Sequence, residues 1–172
     1  LALPFALYED VPQWVPPFAR QARLVLDRER HPFYEHSEAA FFLARDRGET
    51  IGRLAVLDNR HYNRANDDAA AFFTLFECRE RTDTSRALFE AAFDWARQRG
   101  LRSIKGPWGF SHLDGMGLLI EGFAHRPAMG IPYALPHYQD LIEDAGFCKV
   151  DDILSGYMRR DGHIPEQIHR IS

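Results

Sequence analysis

Residues 69–77, Ala-Ala-Ala-Phe-Phe-Thr-Leu-Phe-Glu, are apolar on both alternating faces. Ala71, Phe73 and Leu75 fall on one side of an extended chain, and Phe72, Thr74 and Phe76 on the other. A strand that alternates apolar with polar can leave one face in water, but this one needs cover on both. The chain must therefore layer other elements over two faces of a sheet.

The flanking sequence offers those elements. Glu38 to Arg45 and Thr50 to Asp58 are apolar runs around Asp46-Arg47-Gly48-Glu49, the pattern of a β-hairpin. Asn59 to Asp68 reads as a loop or a ragged strand end. Residues 84–99 form the clearest helix, with Leu88, Ala91, Ala92, Trp95 and Ala96 on a broad apolar face and Gly100 as its exit. A short strand over 101–105 leads to Gly106-Pro107-Trp108-Gly109-Phe110 and a Gly-rich stretch ending at Gly122. Residues 136–145 are a second clear helix, with Tyr138, Leu141, Ile142 and Ala145 on one face, and 147–159 return as a strand. Residues 1–10 and 16–30 read as helices separated by a Pro-rich turn; Ala22, Val25 and Leu26 stripe the second between Arg20, Arg23 and Arg28. The expected class is mixed α/β.

A chain of 172 residues suits one domain. We read 1–160 as that domain, with a helical segment at 1–37 and a core at 38–160. Ile164, Ile168 and Ile171 at helical spacing make 161–172 the start of a further helix, leading into more of a longer protein. The alternative is a frayed C-terminal helix. A net charge of -4 argues against a protein dedicated to nucleic-acid phosphate and against an anionic membrane surface. Cys78 and Cys148 cannot make a disulfide framework, and no apolar run is long enough to span a bilayer, so a cytoplasmic location is expected.

Several groups could carry chemistry. Glu77 closes the apolar strand, as a general base or as a solvated strand-end carboxylate. Glu121 sits among apolar residues; burial would raise its pKa, and the plainer reading is a solvated helix face. Ser111, His112 and Asp114 have the residue types of a hydrolase triad but lack the G-x-S-x-G elbow. His31 to His36 lacks the H-E-x-x-H spacing, and neither cysteine has a second one nearby, so no metal site is expected.

Ser85-Arg86-Ala87-Leu88, the closing Arg99-Gly100-Leu101, the strand Glu49-Thr50-Ile51-Gly52-Arg53-Leu54, and Leu141-Ile142-Glu143-Asp144-Ala145-Gly146-Phe147 together resemble the GNAT N-acetyltransferase superfamily. The likeness covers most of residues 38–158 and looks like that of a divergent bacterial branch. It implies a splayed central sheet with helices on both faces. It also implies acetyl-CoA or another acyl-CoA as co-substrate, and acyl transfer to the amine of a small molecule or peptide. By the same resemblance, Cys78, Arg79, Arg81, Thr82, Thr84, Ser85 and Arg86 surround the diphosphate at the start of the helix. Glu77 is the base and Tyr138 the acid, and Trp108, Phe110, Glu121 and Tyr133 line the acceptor pocket. A homodimer, or packing on another domain of the same chain, also follows from the family.

The chain departs from the family pattern in two places. Glu80, Asp83 and Ser85 stand where the phosphate loop has Gln or Arg, Gly, and Gly or Ala. A carboxylate at Asp83 can cap the helix and fill the anion seat itself. Ile142 stands at the usual acid position, which leaves Tyr138, one turn earlier, or Tyr133 as substitutes. Two alternatives to the acyltransferase stay open: a catalytically silent module that packs on another domain or binds a ligand, and a relative using a donor other than free CoA, such as an aminoacyl carrier.

Overall fold

A computed structural model describes residues 2–111, 114–128 and 130–156. Its elements are α1 (Leu3–Leu7), α2 (Ala19–Leu24), a 3-10 turn at Pro32–Glu35, β1 (Glu38–Asp46), β2 (Glu49–Asp58), α3 (Arg60–Asn66), β3 (Ala70–Cys78), α4 (Thr82–Arg97), β4 (Ser103–Lys105) and α5 (Tyr138–Asp144). The strands form one mixed sheet in the order β1-β2-β3-β4, with β1, β2 and β3 antiparallel and β4 parallel to β3.

Both faces of the sheet are covered, as the composition of β3 requires. On one, Leu54, Val56 and Phe73 pack under Leu88, Phe89 and Ala92 of α4 and Leu141 of α5. On the other, Leu57, Ala70 and Phe72 meet Phe33 and Phe110, with Tyr62 and Trp108 beside them. Gly52 in β2 permits the close approach of α4. A Cβ there would stand 2.9 Å from Leu88 Cδ1 and 3.1 Å from Thr84 Cγ2.

The alternation expected along β3 breaks at Leu75. Arg53 pairs with Glu77 and Ala55 with Thr74, so Leu54 faces two residues, Leu75 and Phe76, and Leu75 takes a φ of 53°. This is a β-bulge, which adds a residue to one strand and inverts the faces beyond it. Phe76 and Cys78 thereby join the cluster of Phe73 and α4, while Leu75 packs against the cluster on the opposite face. Sequence alternation had placed Leu75 with Phe73, and Phe76 opposite.

Other expectations are corrected. The helices read at 1–10 and 16–30 shrink to five and six residues. The Asp27 side chain accepts the backbone N–H groups of Glu29 and Arg30 and turns the chain out of helix. The supposed loop at 59–68 contains α3, whose first turn is capped by the Asn59 side chain accepting Tyr62 N–H at 3.0 Å. Residues 147–156 form no strand, so β4 is the last strand of the described sheet; 157–159 and the helix read at 161–172 lie outside the described residues.

Candidate functional site

The site begins where β3 and β4 part. Their pairing covers only Ala70–Phe72 against Ser103–Lys105. The chain then turns through Gly106, and Trp108 N–H donates to the Phe73 carbonyl at 2.8 Å. Only glycine fits that turn: φ is 154°, and a Cβ would lie 2.6 Å from the Phe73 carbonyl oxygen. Beyond Phe73, β4 no longer pairs with the outer edge of β3.

The start of α5 fills part of that edge. Arg79 N–H points to β2, donating to Ile51 at 3.0 Å, so the backbone of Cys78 faces the other way. Cys78 N–H donates to the Tyr138 hydroxyl at 3.3 Å, and its carbonyl lies 3.1 Å from His137 Nε2. Backbone groups that a neighbouring strand would satisfy are satisfied by two side chains of one short helix and its cap.

Tyr138, 2% exposed, donates its own proton to Glu77 Oε2 at 2.7 Å. Arg53 from β2 brings a guanidinium nitrogen to 3.6 Å from Glu77 Oε1. Among the described residues its Nε is buried without an acceptor. Tyr8, from the turn after α1, sets its hydroxyl against both Glu77 and Tyr138, while that hydroxyl also reaches the Tyr133 carbonyl at 3.4 Å. Its ring stacks on Trp14 with centroids 4.8 Å apart. The Tyr133 hydroxyl donates to Phe123 at 2.8 Å. One carboxylate thus gathers residues from β2, β3, α5 and the N-terminal segment.

Burial raises the Glu77 carboxyl above its ordinary value, against the Arg53 charge and the hydroxyls of Tyr138 and Tyr8, which favour ionisation. Tyr138 and Tyr8 are both pushed well up, first by burial and then by the negative charge of Glu77. The result is a carboxylate held in low dielectric, with a higher proton affinity than a surface glutamate has. Tyr8→Phe keeps the ring on Trp14 but removes one hydroxyl that favours the ionised carboxyl. Glu77 should then titrate at higher pH, as read by carbon NMR of the glutamate carboxyls; an unmoved midpoint would separate Tyr8 from the cluster.

The other expected residues are distributed differently. Arg81 is committed to Asp83 at 2.7 Å and Asp46 at 2.8 Å, and Arg79 to Glu49 at 3.3 Å. The Arg81 guanidinium, with the backbone bond from Thr84, holds Asp83 at about 2, well below the usual carboxylate range. Asp83 accepts Thr84 N–H at 2.8 Å, so one free donor of the helix start is already taken. Thr84 is buried, and Ser85 is fully buried, donating to the Leu141 carbonyl at 3.0 Å as a clamp between α4 and α5. Thr82 is half-buried and Arg86 exposed on the first turns. An open cleft of about 340 Å³ adjoins this helix start, lined by Ile51, Arg81, Asp83, Thr84 and others, and Glu77 does not line it. The Cys78 thiol is buried and pushed up to about 12, so its part in the site is its backbone.

Of the expected acceptor pocket, only Tyr133 adjoins the cluster, through Tyr8. Phe110 is core, packed at 5.1 Å on Phe33, and Trp108 lies edge-on to Phe72 at 5.4 Å. Glu121 is exposed, in a bend and not on a helix. The Ser111 hydroxyl donates to Asp114 at 2.9 Å, closing a turn, while His112 lies outside the described residues. His31 Nδ1 accepts Phe33 N–H at 3.2 Å as the cap of the 3-10 turn, and no group of metal-ligating side chains assembles among the described residues. Sequence reasoning missed Tyr8, Arg53 and the Leu75 bulge. Arg53, polar within an otherwise apolar strand, was the one visible signal.

Fold and cluster together define a layered α/β protein with a carboxylate–phenol pair where the sheet divides. No protein-family model matches the chain, and no solved structure does. Two curated relatives align along nearly all of it. Protein YghO of Escherichia coli (strain K12) is 32% identical over 166 residues, 93% of this chain and 41% of that protein. The bacterial ceramide synthase of Caulobacter vibrioides is 28% identical over 171 residues, 99% of this chain and 44% of that protein. The chain therefore spans less than half the length of either relative. The second name fits an acyltransferase-type protein.

Proposed function

We propose that the chain carries the acyl-transfer site of an N-acyltransferase acting on a long-chain amine. The observation that carries this reading is the Glu77–Tyr138 pair at 2.7 Å, buried where β4 no longer pairs with β3. The bacterial ceramide synthase relative supports it, since a ceramide is the N-acyl derivative of a long-chain amino alcohol and making one forms an amide.

In this reading the amine nitrogen attacks the carbonyl carbon of an acyl thioester. A C–N bond forms, the C–S bond breaks, Glu77 takes the amine proton, and the departing thiolate takes a proton from the solvent side. Tyr138 orients the carboxylate, because its proton is committed to Glu77; this replaces the acid role expected from the family likeness. The backbone N–H groups of the Leu75 bulge, which stands outside the regular ladder, are assigned to the thioester oxygen as charge develops on it. Long-chain acyl-CoA is the donor, seated near the start of α4, where Asp83 competes for the anion seat.

The test is amide formation from palmitoyl-CoA and sphinganine, followed by mass spectrometry, with each substrate omitted in turn. An amide that needs both is expected; its absence with long-chain and short-chain amines alike would overturn the reading. Asp83→Gly removes the competing carboxylate and is expected to bind CoA several-fold more tightly by calorimetry. Equal affinity would move the donor seat away from this helix, as a donor other than free CoA requires.

A further inference from the structure

The segment between the N-terminal turn and the 3-10 turn is anchored at both ends and bare in the middle. Trp14 stacks on Tyr8 at one end. At the other, Val25 packs beside the Phe33 cluster, and its carbonyl accepts the Tyr34 hydroxyl at 2.6 Å. Between these anchors α2 buries none of its residues. Val15 is 52% exposed, Phe18 69%, Leu24 38% and Leu26 41%. Large apolar side chains on a segment fixed to the body at both ends mark a contact surface.

Charge identifies what it contacts. From Val11 to Leu26 the charged residues are Arg20 and Arg23, although the chain as a whole is at -4. Glu9 and Asp10 precede this stretch at its anchored end, and Asp27, which follows it, is engaged by Arg30 at 3.7 Å and by two backbone N–H groups. Both arginines are exposed, and among the described residues neither has a carboxylate partner. Net charge averages over the molecule, whereas a surface a Debye length away responds to the local sign. Exposed aromatic and aliphatic side chains interleaved with unpaired arginines suit the boundary between acyl chains and anionic headgroups.

We propose that residues 15–26 dock this protein on an anionic lipid surface, where a long-chain amine substrate resides. The substrate class rests on the N-acyltransferase reading; the docking does not. Rigid Pro16-Pro17 leads Phe18 outward, and Arg20 and Arg23 follow within one helical turn or so, so a single short segment supplies both the apolar and the electrostatic contact.

The test is co-sedimentation of the 172-residue chain with phosphatidylcholine vesicles, with and without phosphatidylglycerol. Binding to the anionic vesicles is expected, weakened by salt. Phe18→Ser should weaken it several-fold, and Arg20→Glu with Arg23→Glu roughly tenfold or more. Thermal melts should be unchanged, because these side chains are exposed. Wild-type binding no stronger to anionic than to neutral vesicles, or variants that bind like wild type, would overturn the proposal. So would a concentration-dependent dimer abolished by Phe18→Ser without vesicle binding, which would assign the surface to a second copy. Glu77→Gln should bind vesicles like wild type, so loss of amide formation and loss of docking are separately readable.

Discussion

Replacing Glu77 by Gln is expected to cut amide formation by about a hundredfold or more while leaving the fold in place, the range in which a positioned general base contributes. The amide of E77Q still accepts the Tyr138 hydroxyl, so geometry is kept and proton affinity is lost. Wild-type activity should rise with pH through a midpoint above the ordinary carboxyl value of 4.5, because burial raises Glu77; E77Q should lack that limb. Stability runs the other way. A carboxyl harder to ionise folded than unfolded contributes stability that is fully present below about 4.5 and is lost as pH rises through the folded value. The urea midpoint of wild type should fall across that window, and that of E77Q should not. A variant with wild-type rate and wild-type pH limb would remove Glu77 from the chemistry.

Phe89→Ala is expected to cost about 3–5 kcal/mol, the range for removing a fully buried Phe. Phe89 is fully buried, its ring lying 5.2 Å from Phe73, 5.0 Å from Phe76 and 4.9 Å from Phe147. These partners come from β3 on both sides of the bulge and from the segment after α5. Removing the hub ring leaves a cavity that three other rings cannot close together. Urea denaturation measures the loss, and a cost under about 1 kcal/mol would mean that the site collapses around the gap. Phe76 also packs at 5.2 Å on Tyr138, so the Tyr138–Glu77 bond should loosen in F89A even where the chain stays folded.

Much of the sheet was legible because its signals are local. The hairpin around Gly48, the run at 69–77 and the apolar face of 84–99 each declare themselves within a dozen residues, and all three form. The helix expected over 16–30 was overread, because an apolar period cannot show that Asp27 will accept the backbone donors of Glu29 and Arg30. Helix α3 was passed over because its residues are polar, although Asn59 stood at its cap. For the site, Glu77 and Tyr138 were nameable as residue types. Their bond, formed across 61 positions of chain, was not.

The sequence by itself determined that β3 would be a central strand covered twice and that a carboxylate would stand at its end. Those outcomes follow from side-chain period and apolar content, which are properties of neighbours along the chain. Tertiary structure alone decided that Leu75 would bulge, that β4 would part from β3, and that Tyr8, Arg53 and Tyr138 would meet around Glu77. The bulge inverts the faces of everything after it, and burial among distant groups raises the carboxyl. Both depend on what packs against the strand, which no local pattern encodes.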